Sequence, residues 1–363
     1  MITIYNNQII LDQIERAAQS GRLHHANLIS SGPGEEGLPI ALRTAQILLC
    51  ETRKGCGTCS SCSKVERLEH PDLNLSFPFV SGSNTGTADD FLPVFRNALR
   101  NNTFLDPDSW QKLITEKNQQ LQIPVKEIQN IHHKLSLTAA SGGNRVLLLW
   151  MPEQISTIAS NKLLKLIEEP LPNTYLLLVT HRKQRLLPTI TSRCAPWACE
   201  PMNSTVFDQH FAGEAEATVR LLDMIFAPNL GAAISAKSDP QSTQIDVFAT
   251  WMRTCYKGNP VEITNAVSEL ASMPKEALKT LIFRSLHFLE RGFYHNVLET
   301  PSSATDLGSI NVQKLSSAVV PKGTLKITES LGACLRDLER NIHTKTALTS
   351  TSYHLHRAFR GMN

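Results

Sequence analysis

No uninterrupted apolar run in this 363-residue chain approaches the ~20 residues needed to cross a bilayer. The opening residues, MITIYNNQII, lack both the basic and the apolar parts of a secretory signal. A cytoplasmic protein with no membrane partner is therefore expected. Charge of one sign is also scarce. With 36 Lys+Arg against 33 Asp+Glu the formal net charge is +3, too small to announce nucleic-acid binding, although a local basic patch is compatible with it. Internal repeats and low-complexity tracts are absent, and the length allows two or three ordinary domains.

Cysteine is present and unevenly placed. Cys50, Cys56, Cys59 and Cys62 crowd into one stretch, while Cys194, Cys199, Cys255 and Cys334 are scattered. In a reducing compartment such a cluster reads as a metal site rather than a disulfide framework. Its spacing offers four soft thiolates to one tetrahedral ion, which suits structural zinc; four free buried cysteines are the simpler alternative. Four thiolates around Zn²⁺ carry a net charge of about −2, which Arg53, Lys54 and Lys64 would partly offset. With all four positions filled by protein, no water site remains for catalysis, and the expected role is to hold a surface module together.

From about residue 26 to 199 the pattern alternates. ANLISS, NRVLLLWM and TYLLLVT are apolar runs suited to buried strands; Leu38, Ala41, Leu42, Ala45, Leu48 and Leu49 recur at helical spacing, and ISTIASNKLLKLIEE reads as a helix stopped by Pro170. In that helix Leu163, Leu164 and Ile167 should face the sheet, with Glu168 and Glu169 at its terminus. Continuous apolar strands separated by helices predict a parallel sheet covered on both faces. Residues of about 81–122 interrupt the scheme with a polar loop, SGSNTGTADD, and two short helical patterns. After RCAPWACEP the pattern is mainly helical, with Ile327, Leu331, Leu335, Leu338 and Ile342 in one stripe and a long loop over 300–309.

SSGPGEEGLP, after the first strand, has Gly32 and Gly37 at the spacing of a phosphate-binding loop. In a working loop, backbone N–H groups at a helix N-terminus surround phosphates, lysine reaches the terminal groups, and Ser/Thr binds magnesium. Here Leu38 removes the cation, and Pro39 removes the hydroxyl and an N–H while remaining tolerated in a first helical turn. One charge pair at about 4 Å is worth roughly 4 kcal/mol at an effective dielectric near 20. Glu35 and Glu36 add negative charge where phosphates would sit. The magnesium-binding acid expected at the end of RVLLLW is replaced by Trp150 and Met151, with Glu153 too late in register to stand in for it. Two glycines alone are a weak motif, equally consistent with an ordinary turn.

LHHANLISSGPG, CGTCSSCSKVERLEHPDL, NKLLKLIEEP and LLPTITSRC, in that order, resemble the AAA+ subunits of bacterial DNA polymerase III clamp loaders. The resemblance is strong over residues 22–199, apart from the insertion, and weaker afterwards, where LRDLERNIHTKTAL looks like the final collar helices. The degenerate loop resembles the delta-prime branch rather than the ATP-hydrolysing gamma/tau branch. The resemblance implies an α/β AAA+ domain over 1–199 carrying the zinc module at about 50–62, a small helical lid over 200–241 and an all-α collar over 242–363. It implies gamma/tau and delta subunits as partners, and the sliding clamp and primed DNA as partners through the assembled complex. No ATP is expected to be bound by this subunit. Arg193 in SRC is implied to reach the nucleotide of an adjacent subunit, where arginine fingers are worth roughly 10³–10⁵ in rate. Thr180 stands where active relatives place a γ-phosphate sensor; without nucleotide it is expected to satisfy backbone groups. His24 and His25 lack a recognisable catalytic triad and are expected to be structural. The competing expectation is an active gamma/tau-type ATPase with a non-standard loop, and a third is a zinc-containing DNA-binding module.

Overall fold

A computed structural model describes residues 2–80, 86–115, 119–137, 139–140, 142–238, 245–298, 306–307, 310–311, 321–340 and 342–361. The central sheet has five strands, β1 (Ala26–Ser30), β2 (Leu73–Ser76), β3 (Arg145–Trp150), β4 (Thr174–Thr180) and β5 (Ala195–Ala198), in the order β2-β3-β4-β1-β5. Every pairing is parallel, with Ser30 opposite Thr180 and Leu149 opposite Leu178. This is the α/β arrangement that the alternation of apolar runs and helices predicts. The chain leaves β1 for the far edge and returns to β1's other side with β5, so winding reverses beside β1. Ligands of open parallel sheets bind at the carboxyl end of such a switch point.

Alternation along each strand builds two cores. Ile29, Val146, Leu148, Trp150, Leu177 and Val179 face one way, against α1 (Gln8–Gln19) and α2 (Gly37–Leu49). Leu28, Leu147, Leu149, Leu176 and Leu178 face the other. That second face is covered by α6 (Val125–Ser136) and α7 (Thr157–Glu168), where Leu163, Leu166 and Ile167 are buried and Leu164 is only partly so. Ser156 caps α7 by accepting the Ala159 N–H at 3.4 Å.

Helix α3 (Ser60–Glu66) precedes β2, and between β2 and β3 lie α4 (Leu92–Asn101) and α5 (Pro107–Ile114), the short helices expected in the insertion. Phe79–Val80 pairs antiparallel with Leu121–Gln122, closing the insertion at its base. Part of the expected 81–90 loop, residues 81–85, lies outside the described residues.

Two compact units emerge: residues 1–206 with 228–235, and residues 207–227 with 236–363. Two short helices, α8 (Pro188–Thr191) and α9 (Ser204–His210), flank β5, and the second unit holds α10 (Glu216–Phe226), α12 (Ile245–Lys257), α13 (Pro260–Ser272), α14 (Lys275–Leu298), α15 (Pro321–Glu339) and α16 (Thr344–Phe359). Trp251 is buried there, its indole N–H donating to Ser352 Oγ at 2.9 Å. The predicted terminal stripe needs one correction. Ile327, Leu331 and Leu338 are buried on α15, but Cys334 rather than Leu335 completes the buried face, and Ile342 lies beyond the helix at 40% exposure. The expected loop over 300–309 lies outside the described residues except for 306–307, which form a short strand pair with 310–311. Among the described residues, no helix is long and apolar enough to cross a membrane.

Candidate functional site

The loop after β1 forms the turn and helix start that its glycines predict, and fills them with its own side chains. Glu35 folds back so that its Oε2 accepts the Gly32 N–H at 3.0 Å. A carboxyl group thus takes the kind of contact a phosphate oxygen would seek there. Glu36, fully buried, accepts N–H groups from Tyr5, Asn6 at 3.1 Å and Asn7 at 2.8 Å, and the Asn7 side-chain amide at 2.7 Å. Leu38 and Pro39 are buried in the first turn of α2. Gly34, at φ +67°, has no room for a side chain: a Cβ would lie 1.8 Å from Asn229 Oδ1. The Gly231 N–H, at the start of α11 (Leu230–Ser238), donates to Gly34 O at 3.0 Å.

At the ends of the neighbouring strands a half-buried network gathers around Glu153, which the sequence register alone places too late to reach them. Met151 adopts a left-handed backbone, φ 58°, and the short turn Pro152–Gln154 brings Glu153 back to the sheet. Its carboxylate accepts the Thr180 hydroxyl at 2.7 Å and the His181 N–H at 3.0 Å. Thr180 Oγ1 in turn accepts the Arg182 N–H at 3.2 Å, the backbone-satisfying role expected of it. The Trp150 indole donates to His181 Nε2 at 2.9 Å, which leaves Nδ1 to carry the ring proton toward Ser31 O at 3.2 Å. Burial pushes His181 below its usual range, so the ring is neutral. Neither His181 nor the return of Glu153 is visible in sequence spacing: the return of Glu153 depends on the left-handed turn at Met151, and the His181 ring contacts depend on Trp150 and Ser31.

The four cysteines converge. Cys50 ends α2, Cys59 caps α3 by accepting the Cys62 N–H, and Cys62 lies in α3. All four sulfurs lie within 4.8 Å of one another, with separations of 3.7, 3.9 and 3.9 Å for three pairs. A tetrahedron with metal–sulfur bonds of about 2.3 Å has edges of about 3.8 Å. The donor set therefore fits a tetrahedral metal ion. Burial opposes ionisation of Cys50, but the Thr52 hydroxyl and the N–H groups of Cys56, Thr52 and Lys54 outweigh it and lower the thiol to about 5. The Thr58 hydroxyl and the N–H groups of Thr58 and Cys59 lower Cys56 to about 7. Arg53, Lys54 and Lys64 are exposed around the cluster. Arg43, which sequence reading passed over, ties the module down by donating to Gly55 O at 2.7 Å.

Arg193 lies two residues before edge strand β5, with 41% of its side chain exposed. Its Nε contacts Glu168 Oε1 at 2.6 Å and one terminal nitrogen donates to Thr189 O at 3.0 Å. With His24, His25, Ile167 and Cys194 it lines an open cleft of about 560 Å³. The two histidines serve backbone: His24 Nδ1 is 2.8 Å from Ala26 O, and His25 Nε2 is 2.7 Å from Ile167 O. His24 and Arg193 precede their strands, whereas the Gly32–Gly37 loop follows β1. The arginine cleft and the loop therefore sit at opposite ends of the parallel sheet, separated by the length of β1, about 17 Å for five extended residues.

A family model described as DNA polymerase III, delta subunit, matches residues 6–203. The chain belongs to this family. Within it, the similarity is to delta-prime subunits of the clamp loader. The DNA polymerase III subunit delta' of Haemophilus influenzae is 25% identical over 336 residues, 91% of this chain and 89% of the relative. That of Yersinia pestis is 32% identical over 185 residues, 49% of this chain but only 42% of the relative. A crystal structure of a DNA polymerase III gamma-subunit-related protein from Thermotoga maritima aligns over 96% of this chain and 99% of that one, with a TM-score of 0.42 and 14% identity.

The loop of this delta-prime relative makes a pH prediction. Burial raises the Glu35 carboxyl from 4.5 to about 7, the Gly32 N–H pulls it down, and Glu36 pushes it up. A raised folded-state value means the folded chain holds the proton more tightly than the unfolded chain. The stability it brings is full below the ordinary carboxyl range and is lost as pH rises through about 7. In urea denaturation from about pH 5 to about pH 8, wild type should lose roughly 1–3 kcal/mol relative to Glu35→Gln.

Proposed function

We propose that this chain is a non-catalytic clamp-loader subunit that binds no ATP of its own, acts as the stationary member of the loader, and donates Arg193 to a nucleotide on an adjacent gamma/tau-type subunit. The observation that carries this reading is the separation of Arg193 from the chain's own loop by the length of β1. A guanidinium at the amino end of the sheet cannot reach a phosphate at the carboxyl end of the same sheet. Its exposed position beside edge strand β5 suits a phosphate approaching from a neighbour, and its planar fork suits the charge that develops on a transferring phosphoryl group. The ion pair with Glu168 is solvent-exposed, so it is worth only about 0.2–1 kcal/mol. Such a pair orients the guanidinium without preventing its release.

The same reading takes residues 200–241 as the lid and 242–363 as the collar through which the loader assembles, with delta and gamma/tau as neighbours. Sliding clamp and primed DNA are engaged by the assembled complex, in the cytoplasm at the replisome. Loop chemistry supports the absence of ATP binding: no cation replaces Leu38, and two carboxyl groups occupy the turn. The metal is zinc. Cys50, Cys56, Cys59 and Cys62 would hold it, supplying a cross-link between the end of α2 and α3 and no open coordination position.

Arg193→Ala in a reconstituted loader should lower DNA-stimulated ATP turnover at the adjacent site by about 10³ or more, and Arg193→Lys should not restore it, because a point charge lacks the planar fork. Unchanged turnover and clamp loading in the alanine variant would remove the assignment. Metal analysis of protein purified without added zinc should find about one zinc per chain, lost in Cys62→Ser and retained in Cys194→Ser. A wild-type content far below that stoichiometry would count against the site.

A further inference from the structure

The insertion between β2 and β3 contributes neither a cysteine to the metal cluster nor a residue to the arginine cleft, yet its side chains converge on the carboxyl end of the sheet. Phe95 stacks on Phe77 with ring centres 3.8 Å apart and lies 5.7 Å from Trp150, the strand-end residue bonded to His181. Trp110 meets Phe77 and Phe95 edge-on, both at 5.2 Å, and donates its indole N–H to Pro78 O at 2.7 Å. These aromatic residues anchor α4 and α5 over the ends of β2 and β3. The turn between the two helices then reaches the phosphate loop itself. Asn102 Nδ2 donates to Gly231 O at 3.0 Å, while the Gly231 N–H donates to Gly34 O. Phe104 stacks on Tyr5, whose N–H is held by Glu36, and Ser109 donates to Ser235 Oγ on α11 at 3.1 Å. Approach is so close at Gly231 that a Cβ would lie 1.7 Å from Phe104 O. Phe104, Leu105 and Asp106 are all buried, at 2–3% exposure.

We propose that the insertion is a built-in occupant of the nucleotide crevice, its Asn102–Asp106 turn latching the Gly32–Gly37 loop to α11. It deepens the reading of the chain as a subunit that binds no nucleotide. A working phosphate loop is ordered by its ligand; here the aromatic anchor and the Asn102–Gly231–Gly34 relay order it permanently. The loop is thereby held in one conformation whether or not neighbouring subunits carry ATP.

Backbone hydrogen exchange in the full-length chain, measured without nucleotide, tests the latch. Gly231 has helical backbone, where alanine is the better residue on propensity alone, so any loosening in Gly231→Ala must come from the methyl group meeting Phe104 O. Exchange at residues 32–37 should accelerate at least about fivefold, the loss of one net hydrogen bond, with far-UV circular dichroism and metal content unchanged. Asn102→Ala, which removes the donor to Gly231 without adding bulk, should accelerate the same amides. Unchanged exchange at 32–37 in both variants overturns the latch. Binding of an ATP analogue by wild type would instead overturn the non-nucleotide reading, a result that the exchange measurement does not depend on.

Discussion

Hydrogen bonding of the Glu35 and Glu36 carboxyl groups to backbone around their own loop is the constraint on which the geometry after β1 rests. Glu36 gathers the N–H groups of residues 5–7 and fixes the N-terminal segment against the start of α2. Buried carboxyl oxygens left without such partners would be costly. Glu35 satisfies the Gly32 N–H that a phosphate would otherwise claim. Leu38 and Pro39, apolar and buried in the first turn of α2, supply no charge to neutralise an anion there.

From that constraint follows a division of labour along the sheet. Its carboxyl end, in ATP-binding members of such folds the working end, is here closed by short carboxyl, amide and aromatic contacts. Its amino end keeps an exposed guanidinium oriented by Glu168 and Thr189. In the proposed reading, a loop held by its own side chains is a suitable support for an arginine offered to a neighbour's phosphate. The four-cysteine cluster lies at a third place, where sulfurs from the end of α2 and from α3 converge on one centre.

Much of this was legible in sequence because it rests on local chemistry. Apolar runs gave the buried strands, helical spacing gave α2 and α7, and cysteine spacing brought four sulfurs to one centre. The missing lysine and hydroxyl were read directly from Leu38 and Pro39. What escaped depends on contacts between distant residues. A left-handed Met151 swings Glu153 back to Thr180, although register alone places it too late. The His181 ring gains its hydrogen bonds from Trp150 and Ser31, residues distant in the chain. Cys334 rather than Leu335 completes the stripe on α15, since packing selects the face that a spacing pattern leaves two ways. The insertion's purpose was invisible because Asn102 and Gly231, far apart in the chain, meet only in the fold.

The most direct test is a titration of the isolated, metal-loaded chain with a fluorescent ATP analogue, with and without magnesium. A loop closed by its own carboxyl groups predicts no saturable signal at millimolar nucleotide, where a loop retaining its charge pair would gain about a thousandfold in affinity. Saturable, magnesium-dependent binding would contradict it and favour an active ATPase with a non-standard loop.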